Sequence, residues 1–161
     1  MNTVSASARL QLSSVLPAAF RPELEQLLFF NPGQERLRKG IQESIARHGV
    51  PQIVADQTTL RVQVGELGVV QAVFAIAELP DRASLVGAVL YHRASTEEIV
   101  VLHIAVDQHF TAAGNSSDTL LVMRLVDSLR QSARCIKGIR WITVYAERGP
   151  LRLIVRHPTS N

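Results

Sequence analysis

The chain is short of cysteine, lysine and long apolar runs. Cys135 is the sole thiol, so no intramolecular disulfide can form, and a reducing cytoplasm is the expected compartment. Lysine occurs only at Lys39 and Lys137, and the formal charge of +3 rests on arginines scattered along the sequence. With neither a basic helix nor a set of stacking aromatics, the composition argues against nucleic acid as a partner. The longest apolar stretches, Val69 to Ala77 and Ile99 to Val106, fall well short of the roughly 20 residues that cross a bilayer. No secretory leader is read at the N-terminus and no membrane anchor is expected. The histidines are dispersed without zinc-like spacing, and neither a Gly-x-Ser-x-Gly elbow nor a P-loop is present. Metal, serine-hydrolase and P-loop chemistry therefore find no support.

What the chain does have is core. Its 161 residues are 47% hydrophobic and 19% charged, a balance suited to one packed globule, and two cores would each be marginal. No repeat, low-complexity tract or Pro/Gly/Ser-rich linker divides it, so residues 1–161 are read as a single domain.

Periodicity sets the order of elements. Arg9 to Leu12 alternates as a short strand does. Leu24, Leu27 and Leu28 recur at helical spacing within Pro17 to Phe30, and Asn31, Pro32 and Gly33 supply the stop. A second helix is predicted from Leu37, Ile41, Ile45 and His48, with Gly40 counted only as a propensity cost. After Pro51 the period becomes two, in Leu60 to Val64 and Val70 to Ile76, followed by apolar strands at Leu85 to His92 and Glu98 to Val106. Asp118 to Cys135 returns to helical spacing, Gly138 ends it, and Ile139 to Ala146 and Leu151 to Arg156 are strands. The expected class is α+β, a mixed and mostly antiparallel sheet flanked by helices. The helix between the strand ending at Val106 and the strand from Trp141 to Ala146 predicts a parallel crossover.

The segment that carries chemistry is the strand to Val106, the small-residue loop Thr111-Ala112-Ala113-Gly114-Asn115-Ser116-Ser117, and the helix after it. A loop of this kind opening a helix directs free backbone N–H groups at one point, where the helix dipole adds partial positive charge, an arrangement suited to phosphate. In this segment the chain resembles the GNAT superfamily of N-acetyltransferases, whose pyrophosphate loop reads Gln/Arg-x-x-Gly-x-Gly/Ala between a central strand and a helix. Thr111 stands at the Gln/Arg position, Gly114 matches the first glycine and Ser116 replaces the second small residue. The order of elements resembles the family's over most of the chain. Two departures stand beside the likeness: the last strands follow one another without the usual intervening helix, and Asp118 puts a negative charge at the helix start.

The resemblance implies a GNAT-like fold, acetyl-coenzyme A as cosubstrate and an amine acceptor. Val106, Thr111, Ala113, Gly114, Asn115, Ser116 and Ser117 would contact the cofactor, with a backbone N–H near Val106 stabilising the oxyanion. Glu98 and His103 are the leading candidates for the proton acceptor, with Asp107 and His109 at the strand end as others. Each has a structural reading as well: a solvated charge at a strand start for Glu98, a hydrogen-bonded core residue for His103. Tyr145 reads as a packed strand aromatic and Cys135 as a buried, inert thiol. The alternative function is a non-catalytic interaction or homodimer module of the same architecture, for which the apolar terminal strands and the missing loop cation speak.

Overall fold

The alternating segments come together in one mixed, mostly antiparallel sheet. In a computed structural model that describes residues 8–31, 38–112, 118–146 and 148–159, nine strands follow in chain order. They are β1 (Arg9–Ser13), β2 (Leu16–Pro17), β3 (Pro51–Asp56), β4 (Thr59–Val64), β5 (Val69–Glu78), β6 (Ala83–Arg93), β7 (Glu98–Val106), β8 (Trp141–Ala146) and β9 (Gly149–Ile154). The helices are α1 (Arg21–Phe29), α2 (Arg38–His48), α3 (Gln108–Ala112) and α4 (Asp118–Arg134). The sheet runs β2-β4-β5-β6-β7-β8-β9, with β1 also on β5 and β3 also on β4. Every described pair is antiparallel except β7 with β8. The fold is α+β.

Helices cover both faces, so β7 is buried from Ile99 to Val106 and apolar there apart from His103, rather than alternating. On one face Leu121, Leu125, Leu129 and Ala133 of α4, recurring every four residues, pack on Ile99, Val101, Ile104 and Val106. On the other, Leu24, Leu27 and Leu28 of α1 pack with Val100, Leu102 and Ala105. A register shift between Leu90 and Tyr91 pairs them with His103 and Val101, leaving Leu102 as the extra residue of a bulge. The bulge resets the alternation, which is why Ile104 rather than His103 continues the α4-facing row.

Several expectations are corrected. The first helix starts at Arg21 rather than Pro17, because Leu16 and Pro17 pair with Leu60 and Thr59 of β4 and Ala18–Phe20 form a 3-10 turn; Pro22 then sits at the start of α1, where a missing N–H costs no helical bond. The hairpin of β3 with β4 was not expected as two strands. Its turn is made by Gln57 at φ 55, in place of the glycine that usually marks such a turn. In α2 the buried positions are Gly40 and Ser44, so small residues rather than Ile41 and Ile45 form the seam against the sheet. Cys135 is exposed, not buried.

Candidate functional site

β7 and β8 are joined by α4 and run side by side in parallel, as the strand-helix-strand order requires. Their register covers Glu98 with Trp141, Ile99 with Ile142, Val100 with Thr143 and Val101 with Val144, and pairing stops there. Beyond Val101, β7 continues to Val106 while still paired to β6, so the carboxyl halves of the two parallel strands part. In open α/β sheets a crevice outside the carboxyl ends of parallel strands is a usual place for a ligand, and β7–β8 is the one parallel pair among the described residues.

The peptide groups of β7 face that parting. The Asp107 N–H donates to Val86 O at 2.7 Å, which makes Gly87 and Val106 a non-hydrogen-bonded pair and turns the Val106 peptide groups away from β6. The Val106 carbonyl accepts a hydrogen bond from the Asn31 side-chain amide, which ties the end of α1 to the end of β7.

A cavity of about 580 Å³ opens at this end of β7, bounded by α1, the start of β6 and the residues that lead into α3. Its polar lining includes Glu23, Asn31, Arg82, Asp107 and His109, with Phe30 as an apolar wall. Glu23 is fixed: its carboxylate accepts from the Leu85 N–H at 2.7 Å and from the Ser84 hydroxyl at 3.3 Å. Asp107 accepts from the His109 N–H at 2.8 Å, which holds the first turn of α3 against the strand end. Two carboxylates, one guanidinium and one imidazole thus line one cavity, a mixed polar pocket. Sequence reasoning had named Asp107 and His109 but missed Glu23, Asn31 and Arg82, which come from distant segments.

Glu98 and His103 do not line this cavity. His103 is 4% exposed and borders a space of only about 20 Å³ with Gly40, Ile41, Val144 and Tyr145. Burial lowers its pKa to about 4, so the imidazole is neutral near pH 7 and a weak base. Glu98 lies at the opposite end of β7, five residues or about 16 Å away, and accepts a hydrogen bond from the Thr143 hydroxyl. Near it, His92 meets His48 edge to face with ring centroids 5.3 Å apart. The His92 imidazole is held below the usual histidine range, first by burial and then by His48, with Glu98 acting the other way.

Thr111 belongs to α3. Ala113, Gly114, Asn115, Ser116 and Ser117 lie outside the described residues. Among the described residues no group of three or more His, Cys, Asp or Glu is placed to hold a metal ion, and no helix is long and apolar enough to cross a membrane. Comparison with protein-family models, curated proteins and solved structures finds no match to the chain.

Proposed function

We propose that the chain is an acyl-coenzyme A-dependent N-acyltransferase of GNAT-like architecture, transferring an acetyl or related group to an amine. The observation that carries this reading is the parallel β7–β8 pair, joined by α4, whose pairing ends at Val101 and Val144 while β7 runs on to Val106. The likeness of Thr111 to Ser117 to a pyrophosphate loop, between that strand and α4, adds to it.

Bound acyl-coenzyme A would supply a thioester carbonyl beside Val106. There the Val106 N–H, turned away from β6, is the donor for the oxygen that gains negative charge. The cavity at the strand end would admit the amine, with the Glu23 and Asp107 carboxylates favouring its cationic form on entry. His109, at the rim, is the best placed group to take the ammonium proton. The free amine then attacks the carbonyl, and the C–S bond breaks to release the thiolate, which takes up a proton. Glu98 and His103 fit structural roles better, since neither reaches this cavity.

The test is acetylation of a panel of small amines and peptide amines. On this reading His109→Gln lowers kcat by about 100-fold or more, whereas Glu98→Gln leaves it within a few-fold. No acetylation of any amine by the wild-type chain overturns the catalytic reading. A non-catalytic interaction module is then the alternative, favoured by one observation: α2 narrows the gap between the parting strands, where a Cβ on Gly40 would overlap the Tyr145 carbonyl.

A further inference from the structure

We propose that the outer edge of β9 accepts an extended, acidic segment of a partner protein as an additional strand, whether or not acyl transfer occurs. β9 ends the strand order of the sheet, and among the described residues its only strand partner is β8. The Val155 N–H donates to Arg140 O at 2.8 Å, which makes Trp141 and Ile154 a non-hydrogen-bonded pair. By alternation the peptide groups of Leu151 and Leu153 point to β8, and those of Arg152 and Ile154 point out to the edge. Pro150 falls in the outward set, where its missing N–H removes no bond to β8. The edge therefore presents the N–H groups of Arg152 and Ile154 and the C=O groups of Pro150, Arg152 and Ile154, the pattern by which a peptide adds to a sheet.

The side chains select the partner. Arg152 lies within β9 and Arg148 and Arg156 lie just beyond its two ends, all three are exposed, and no ion pair engages them among the described residues. No acidic residue occurs from Arg148 to His157. The Arg152 guanidinium lies 5.1 Å from the centre of the Trp141 ring, with Arg140 at 5.0 Å, so it is held over the sheet rather than trailing into solvent. On the opposite face Leu151, 54% exposed, shares its side of the sheet with Leu153 and Val144, while α4 packs over β5, β6 and β7. An incoming strand thus meets Arg152 between Pro150 and the exposed Ile154 on one face, with Arg148 and Arg156 just beyond the two ends of β9, and the exposed Leu151 on the other, which fits acidic residues interleaved with apolar ones. A second copy pairing antiparallel through this edge would bring the same arginines together, and like charges across a ladder are destabilising.

Trp141 is the single tryptophan and lies against Arg152, so its fluorescence reports on the edge. The full chain is titrated with a synthetic peptide alternating glutamate and valine and with its lysine–valine counterpart. The acidic peptide is expected to bind at least about tenfold more tightly and to weaken as salt is raised. Arg152→Glu should lose about that factor, and Ile154→Pro, which removes an outward N–H but none directed at β8, should abolish binding. Circular dichroism checks that each variant folds, and Arg152→Glu carries the test alone if the proline variant does not. Equal binding of the two peptides, absence of binding, or an affinity unchanged in the folded variants overturns the proposal. So does a dimer in sedimentation that Ile154→Pro or Arg152→Glu dissolves, which would make a second copy the occupant.

Discussion

Adding one methyl group at Gly40 should test how α2 is seated. Helix propensity alone favours the change, since alanine in place of glycine within a helix is worth about 1 kcal/mol. The tertiary setting opposes it. A Cβ at Gly40 would overlap the Tyr145 carbonyl oxygen and stand 3.0 Å from its carbon and 3.2 Å from the Tyr145 Cβ. Normal carbon contacts begin near 3.5–4.0 Å, so α2 would have to withdraw by nearly 1 Å. Its partner there is backbone in a paired strand and cannot rotate aside. Withdrawal would also stretch the 2.9 Å hydrogen bond from the Arg47 guanidinium to the Tyr145 hydroxyl and the stacking of that guanidinium on the ring at 4.9 Å. Overpacking of this kind costs about 1–3 kcal/mol, and contact with fixed backbone puts Gly40→Ala at the upper end. Net of the propensity gain, we expect a loss of about 2 kcal/mol, which lowers Tm by about 4–8 °C for a domain of this size. Paired thermal and urea melts of wild type and variant measure it. A variant more stable by about 1 kcal/mol, as propensity alone dictates, would refute this seating of the helix.

Three further outcomes follow from named groups. His103, with its pKa lowered by burial to about 4, binds its proton less readily when folded than when unfolded; its contribution to stability is complete above about pH 6.5 and is lost as pH falls toward 4. Over that window the loss is of the order of 3 kcal/mol, with His92 shifted in the same direction, and urea titrations across pH should show His103→Leu flattening the dependence. Glu23→Ala removes the acceptor of the Leu85 N–H and the Ser84 hydroxyl and should cost about 1–3 kcal/mol in urea melts; an unchanged midpoint would show that water replaces the carboxylate there. Gly114→Val should leave the melting temperature of the ligand-free chain nearly unchanged while removing any stabilisation by acetyl-coenzyme A, about 2.7 kcal/mol at a hundred times its dissociation constant for wild type.

Elements whose apolar period matched their environment were legible from the sequence. The leucines of α4 recur every four residues and bury as expected, and the parallel β7–β8 pair followed from the helix between them. What escaped depends on contacts between distant residues. The turn between β3 and β4 carries no Asn-Gly or Gly pair, only Gln57 at positive φ, so the hairpin gave no turn signal and only its second strand, Leu60 to Val64, was read. In α2 a periodicity search rewards large apolar residues, yet the seam is built from Gly40 and Ser44, whose merit is lack of volume. The cavity is harder still. Glu23 looks in sequence like an ordinary acid in the first turn of a helix, and only the fold brings it to Leu85 and to the cavity that Asp107 and His109 also line. His103 was legible as a core residue from its apolar neighbours; its wide separation from Glu98 follows from strand geometry.

The measurement that bears most directly on the proposed function is calorimetric titration of the chain with acetyl-coenzyme A, run beside adenosine diphosphate and desulfo-coenzyme A. An acyltransferase that lodges the thioester where β7 parts from β8 should bind acetyl-coenzyme A and bind adenosine diphosphate more weakly, because the nucleotide lacks the arm that enters the gap. Absence of heat with acetyl-coenzyme A, or equal affinity for the nucleotide alone, would contradict it.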